Sequence, residues 1–535
     1  MTNTTDVIVI GAGASGSAVA GRLVQAGRRV ILLEAGGSDR NPIYRVPVMT
    51  GLLAKYKPVT WHYMSDPDPR LANREIWISQ GRIMGGSSSI NGMLWLRGRP
   101  FDYNGWAERG LPDWDWEHVA PALNAIETHA GGSPERGTNG PIPVHQAPAR
   151  NPLYQAYFTA AEQAGFKRTN DLNAAPFEGV APFDANIGGG LRWSAARAFL
   201  GPVRGSSNLR IVTKANATRL MIEKGAARGV VAQVGGAETK FYADEVVVCA
   251  GAIATPKLLM LSGIGPADAL RAHGIAVAAD LRGVGANFHD HVGVGSSFTT
   301  SGPLAFETLA RVDKGALGFL RAILFGSGPA AMPPFSAGGL LKSSPDLAEP
   351  DFENVVVPTL GPPKLRLPIV SKPNAYGFAI ASIQMRPTSR GTVSLRSADP
   401  ADLPRIQPNY LSTQNDRDIV RNGLKITRAI IAQAGFDALR GDEVRPGKNI
   451  RTDAELDAWI LANGSTCYHP VGTCRMGGDN DPDAVVDSQL RVRGIAGLRV
   501  GDASIMPQIT SGNTHAPSIM IGYRCAGFMI DAPRN

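Results

Sequence analysis

Residues 4–37 constrain the fold more than any other stretch of the chain: TTDVIVIGAGASGSAVAGRLVQAGRRVILLEAGG. The β-branched run Asp6–Ile10 predicts a buried parallel strand. Gly11, Gly13 and Gly16 follow at once as G-x-G-x-x-G, Ala18–Gln25 reads as a helix, and Arg29–Leu33 as a second strand ending at Glu34. Each part has a physical task. Gly11 permits the tight turn, Gly13 lets backbone approach a pyrophosphate, and Gly16 lets the helix pack closely on the strand. The helix N-terminus offers free N–H groups and the positive end of its dipole to phosphate. The Glu34 carboxylate accepts from a ribose 2′-hydroxyl and repels a 2′-phosphate. The whole unit predicts a dinucleotide-binding α/β domain.

At 535 residues the chain is long enough for two domains or more. Its 62 glycines and 39 prolines favour an enzyme of short strands and many turns over a helical array. The net charge of +8 is scattered, with no run of five Lys/Arg, which argues against nucleic acid and for an anionic cofactor, acidic partner or membrane surface. Cys249, Cys467, Cys474 and Cys525 form no C-x-x-C pair, so neither a disulfide framework nor a zinc site is expected, and no metal is. No signal-peptide pattern precedes the first strand, which reads as cytoplasmic, with contact at the inner membrane face left open. Gly315–Phe325, interrupted by Arg321, reads as a core or lid helix rather than a membrane contact.

Gly-rich signals recur at 11–16, 81–92, 251–265, 283–291 and 501–513. Glu245–Gly251 and Leu498–Asp502 repeat the strand-then-glycine pattern and are expected to complete the sheet that Asp6–Ile10 begins. Residues 130–190 are polar and turn-rich, and 295–400 mix Pro-rich loops such as Gly361–Pro368 with strand-like runs such as Tyr376–Met385. The expected architecture is discontinuous. One domain uses 1–150, 205–294 and 490–535, and a substrate domain uses 151–204 and 295–489.

Gly81–Asn91 (GRIMGGSSSIN) is a loop of small residues that can pass close to a flat ring and offer it N–H donors. Ile90, Met93 and Trp95 argue that this loop is buried. His469 precedes Pro470, which biases it to extended backbone, and Asn513 lies 44 residues on.

These ordered motifs, with Arg97–Tyr103, Gly251–Pro266, Gly283–His291, His469–Thr473, Gly501–Ser504 and Asn513–Thr514, resemble the glucose–methanol–choline oxidoreductases over nearly the whole chain. The branch it is most similar to holds bacterial aliphatic alcohol, choline and polyethylene glycol dehydrogenases. The resemblance implies a glutathione-reductase-like FAD domain beside a six-stranded antiparallel substrate domain. It implies that Gly11, Gly13 and Gly16 hold the FAD pyrophosphate, Glu34 the adenosine ribose, and the backbone of Ala217 the adenine. Arg82, Met84, Gly85, Gly86, Ser87, Ser88 and Asn91 then lie along the flavin, Gly92 leaves space at its reactive edge, and Asp502, Asn513 and Thr514 bind near the ribityl chain and ring. His469 and Asn513 match the catalytic pair. A neutral His469 accepts the alcohol proton, and Asn513 stabilises the developing alkoxide. His515 is expected to be structural, and Cys467 a small buried apolar residue.

Where covalent-flavin members carry a histidine, this chain has Ile90, so FAD is expected to be noncovalent. The implied reaction is oxidation of a primary alcohol, with electrons passing to a quinone, cytochrome or dye. Oxygen as acceptor, choline as substrate, and a lyase on the same fold are the alternatives. Region 295–385 is expected to line the pocket. Its Leu317, Phe319, Leu320, Met332 and Phe335 favour uncharged aliphatic or polyether alcohols, and neither Glu307 nor Glu349 has the aromatic neighbours a quaternary ammonium needs.

Overall fold

The computed structural model describes residues 3–131, 133–361, 365–367 and 375–532. The first strand runs Thr4–Ile10, the helix Ala14–Gln25 and the second strand Val30–Glu34, so the helix begins a turn earlier than the sequence suggested. Gly13, in extended backbone, ends the loop, and the helix follows with no side-chain cap. Its first-turn N–H groups are left for a ligand.

The parallel sheet runs Leu209–Thr213, Val30–Glu34, Thr4–Ile10, Ala237–Val248, with Leu498–Val500 at the edge. In the central strands Thr4–Ile10, Val30–Glu34 and Ala237–Val248, residues 7–10, 30–33 and 246–248 are apolar and buried, as strands covered on both faces are. Register aligns Ile10 with Leu33 and Val248, and Val248 with Val500, so the strands end together at one edge. The early half of Ala237–Val248 also pairs antiparallel with Ala226–Val234, which pairs with Ala215–Glu223. Gly16 lies where the helix crosses the first strand. A Cβ there would come 1.9 Å from the Gly11 carbonyl oxygen. The C-terminal helix His515–Asp531 closes on the same helix, where a Cβ at Gly522 would meet the Ser15 carbonyl at 2.3 Å.

A second, antiparallel sheet runs Glu443–Arg445, Val292–Thr299, Gly377–Gln384, Phe352–Val357, Ala337–Leu341, Gly179–Pro182. Ser465–Thr466 adds a seventh, short strand beside Val292. Strand alternation divides its faces. Phe352, Val356, Phe378 and Ile380 face a core formed with the helices Pro152–Gln163 and Gln414–Ile431. Val355, Val357, Ala381 and Ile383 face the other way, into a cavity. The expected boundary at 294/295 cuts the strand Val292–Thr299, whose eight residues pair as one unit. The turn-rich reading of 130–190 missed the helix Pro152–Gln163, and the Gly361–Pro368 loop lies largely outside the described residues.

The Val312–Phe325 helix departs most from expectation. One face packs on the protein and the other stands in solvent. Leu317 and Leu320 face outward and Phe319 is only half-buried, while Met332 does not line the cavity. Of the five expected lining residues, Phe335 alone reaches the cavity. The helix turns Gly318 and Ala322, with the half-buried Phe319 and Ile323, toward the protein, and leaves Leu317, Leu320, Leu324 and Phe325 outside.

Candidate active site

One cavity of about 640 Å³ runs from the Gly-rich loop to the second sheet. At one end stand Gly11, Gly13, Glu34 and Ala217; along it Gly86, Ser87, Ser88, Asn91 and Gly92; at the other end Asp502, His469, Asn513 and Thr514. Four expected residues lie behind this lining. Gly16 packs helix on strand, and Gly85 donates its N–H to the Ala12 carbonyl at 2.7 Å. Met84 is buried in the core, and Arg82 stacks its guanidinium over Trp61 at 4.7 Å.

The cradle fits a dinucleotide. A Cβ at Gly13 would meet nothing within 4 Å, so open space lies over the loop. Glu34 is buried and accepts from the N–H of Ala12 at 2.9 Å and of Gly36 at 2.7 Å. Burial nevertheless pushes its pKa up to about 7, so hydroxyl donors from a ribose would meet an acid short of solvation. Asp502 already accepts from Gly251 N at 2.8 Å and Thr255 Oγ1 at 2.6 Å, and its other oxygen from Ser504 N at 2.8 Å. It organises the second Gly-helix junction rather than offering a free carboxylate.

At the far end a chain of hydrogen bonds fixes the state of His469. His291 Nε2 lies 3.0 Å from the Met385 carbonyl, which can only accept, so Nε2 carries the proton and Nδ1 is bare. His469 Nδ1, 3.0 Å from His291 Nδ1, must then be the donor. His469 Nε2 is left with a lone pair and accepts from Asn513 Nδ2 at 3.1 Å. Burial and the neighbouring His291 hold the His469 pKa well below its ordinary value, and burial holds His291 down to about 4. The imidazole is thus neutral, with its base nitrogen toward Asn513. The Asn513 Oδ1 is buried without a partner.

Backbone places the ring. Asp290 accepts from His469 N at 2.8 Å, Tyr410 Oη at 2.8 Å and Thr466 Oγ1, and burial pushes its pKa up to about 6. Tyr468 takes φ +65, a left-handed conformation uncommon for a tyrosine, immediately before the His469–Pro470 pair. Asp290 and His291 sit in the Gly283–His291 motif. Neither role could be read from the local sequence, since His291 works through Met385, 94 residues away, and Asp290 through Tyr410, Thr466 and His469.

Around His469 the wall is mostly aliphatic: Leu94, Val355, Val357, Ala381 and Ile383, with Phe335 and Cys467. Cys467 lines the cavity and also packs against the core cluster of Leu94, Val355 and Ile383. The space expected beside Gly92 is taken by Phe335, whose ring carbons lie 3.0 Å from where a Cβ would stand. His515 also lines the cavity, edge-on to Trp95 with ring centroids 5.4 Å apart, and its Nε2 has no partner. Ile90 lies in the lining and has no atom that could bond a flavin. An aromatic group not expected from the sequence, Trp61, Tyr63, Trp77 and Tyr468, lines the cavity from the hairpin Thr60–Met64/Trp77–Gly81 and the residue before His469. Glu307 is buried and accepts from Leu304 N, and Glu349 pairs with Arg99, so neither reaches the cavity. Glu353 is buried on the strand carrying Val355, with both carboxylate oxygens unpartnered and a pKa pushed up to about 8, and it too lies behind the lining.

Comparison with known proteins agrees with this geometry. The sequence profiles of GMC oxidoreductase match residues 5–293 and 387–522. The chain is 40% identical to the oxygen-dependent choline dehydrogenase of Rhizobium johnstonii, over 98% of this chain and 95% of that one. It is 38% identical to the Brucella melitensis protein of the same name, with the same coverage. Among solved structures, pyridoxine 4-oxidase from Mesorbium loti superposes with a TM-score of 0.87 at 31% identity, covering 98% of each chain. An Aspergillus oryzae formate oxidase variant superposes at 0.88 with 27% identity and 98% coverage of each.

Proposed function

The chain belongs to the GMC oxidoreductases, FAD-binding enzymes acting on alcohol-type donors, and we propose that it oxidises a primary alcohol to its aldehyde with His469 as base. The observation that carries this reading is the His291–His469–Asn513 chain, which leaves a bare Nε2 in the cavity that begins at the Gly-rich loop. Bound FAD supplies a two-electron ring that accepts hydride. Gly11 and Gly13 would take its pyrophosphate, Glu34 the ribose, Ala217 the adenine, and the Gly86–Gly92 loop with Asp502 and Thr514 the flavin end. Residues 1–150, 205–291 and 490–535 form the FAD domain on this reading, and 151–204 and 292–489 the substrate domain.

His469 Nε2 takes the hydroxyl proton while Asn513 Nδ2 donates to the oxygen that becomes negative. The carbon gives up hydride, and the C–O bond becomes the aldehyde double bond. His469 then carries protons on both nitrogens and keeps its bond to the bare His291 Nδ1, which stabilises the new charge.

The aliphatic wall around His469 supports an uncharged alcohol with an apolar chain. Nothing in the lining favours a polyether over an alkyl chain. Choline is the second reading, favoured by the names of the relatives and by Trp61, Trp77 and Tyr468, although no carboxylate stands with those rings in the lining. A quinone-like acceptor is proposed, with oxygen as the alternative. A panel of straight-chain primary alcohols, benzyl alcohol and choline, assayed once with a dye and once with oxygen, tests all of this. Dye-coupled turnover should rise with chain length. Choline as the best substrate would overturn the uncharged-alcohol reading, and peroxide formed at the full turnover rate would overturn the acceptor.

A further inference from the structure

We propose that the outer face of the Val312–Phe325 helix is a seat on an anionic lipid surface. The helix is apolar on both faces, whereas an ordinary surface helix keeps its large apolar residues on the side facing the core. Toward the protein it turns Gly318, Phe319, Ala322 and Ile323, and at Gly315 a Cβ would come 2.6 Å from the Leu309 carbonyl. Toward solvent it turns Leu317, Leu320, Leu324 and Phe325, which are 69%, 53%, 61% and 75% exposed. Leu365, 79% exposed, stands beside the helix start, where Val312 N donates to the Arg366 carbonyl at 3.0 Å. A contiguous apolar face of this kind marks an interaction surface.

Charge selects the occupant. Lys314 and Arg321 are exposed on the same face, and the helix's one acid, Asp313, is paired with Arg311. A two-fold contact between copies would set this cationic face against itself. An anionic bilayer complements it, and the chain's net charge of +8 adds to the attraction. No helix among the described residues is long and apolar enough to cross a membrane, so the contact is one of lying in the interface. The seat adjoins the active cavity. Phe319 and Ile323 pack with Val46, Met49, Ala330 and Ala331, and the residues after Met49, Thr50 and Gly51, line the cavity. Docking keeps that wall one helix layer from lipid, the phase that concentrates apolar alcohols and quinones.

The test sediments the full-length, FAD-loaded enzyme with vesicles of phosphatidylglycerol and phosphatidylcholine, or of phosphatidylcholine alone. The wild type should bind the anionic vesicles more tightly, and salt should weaken that binding. K314E/R321E should lose about fivefold or more per cation removed. L324S/F325S should abolish sedimentation while dye-coupled turnover in solution stays at the wild-type rate. Absence of binding to the anionic vesicles, or equal binding by both variants, overturns the proposal. A wild-type dimer in light scattering that L324S/F325S converts to monomer also overturns it, making the face a self-association surface.

Discussion

His469 owes its reactivity to atoms that are not its own. The Met385 carbonyl sets the tautomer of His291, His291 sets that of His469, and Asp290 holds the backbone N–H of His469 at 2.8 Å. His469→Ala should retain FAD and lose roughly 10²-fold or more in kcat, the ordinary contribution of a positioned base. Asn513→Ala should lose a comparable factor, and near-normal turnover in either variant would remove that residue from the reaction. His291→Phe keeps the base but frees its tautomer, so kcat should fall about 10-fold, less than for loss of the base itself. Because the His469 pKa is held below its ordinary value, and the base must be unprotonated, kcat/KM should rise with pH through a value below about 6.5 and stay level above it. A rise centred above pH 7 would contradict the neutral imidazole. His469 and Asn513 were legible through the resemblance, since each stands in one of its motifs, His469–Thr473 and Asn513–Thr514. The role of His291 was not, since it is defined only once the strand Gly377–Gln384 brings Met385 alongside.

Among the elements, the strand–Gly loop–helix unit was legible apart from the first turn of its helix, because strand, loop, helix and Glu34 follow one another within thirty-five residues. Gly16→Ala sets a methyl against the Gly11 carbonyl and should destabilise the FAD domain by about 1–3 kcal/mol or more, as overpacking does. The measurement is the melting temperature together with retained flavin, and an unchanged pair would mean the helix does not cross so closely. The lining of the substrate end was not legible. Val355, Val357, Ala381 and Ile383 reach the cavity through strand alternation in two paired strands, whereas one face of the apolar helix at 312–325, the more conspicuous in sequence, stands in solvent. Hydrophobicity marks a residue as needing cover without saying which surface covers it. Ile383→Ala should move the preferred alcohol toward longer chains. Along the wild-type series affinity should grow by up to about 0.8 kcal/mol per methylene until the cavity fills, and a flat response would contradict the aliphatic wall.

For the whole molecule, a buried charge network ties the Trp95–Arg99 stretch to the segment around 127–184. Glu127 accepts from Arg97 at 3.0 Å, Arg136 at 2.8 Å and Trp95 Nε1 at 2.6 Å, and Arg136 also binds Asp171 and Asp184, each at 2.8 Å. In the one group among the described residues close enough to ligate an ion, His129 with Asp171 and Asp184, both carboxylates are already paired with Arg136. Glu127→Ala leaves two buried cations short of a partner and should cost about 3–5 kcal/mol of stability. These contacts hold Glu127 and Asp184 below the ordinary carboxylate range, so their stabilisation is present above it and is lost as pH falls below about 4. Acid should thus unfold the protein and, with Ile90 unable to bond flavin, release FAD into solution; colour in the acid pellet would refute a noncovalent cofactor. The measurement that tests the central claim most directly is anaerobic mixing of the FAD-loaded enzyme with a primary alcohol, followed by flavin absorbance. The account predicts bleaching with one aldehyde formed per flavin, and bleaching slowed roughly 10²-fold in His469→Ala at full FAD occupancy. Flavin that stays oxidised with every alcohol, or a variant that bleaches at the wild-type rate, would contradict it.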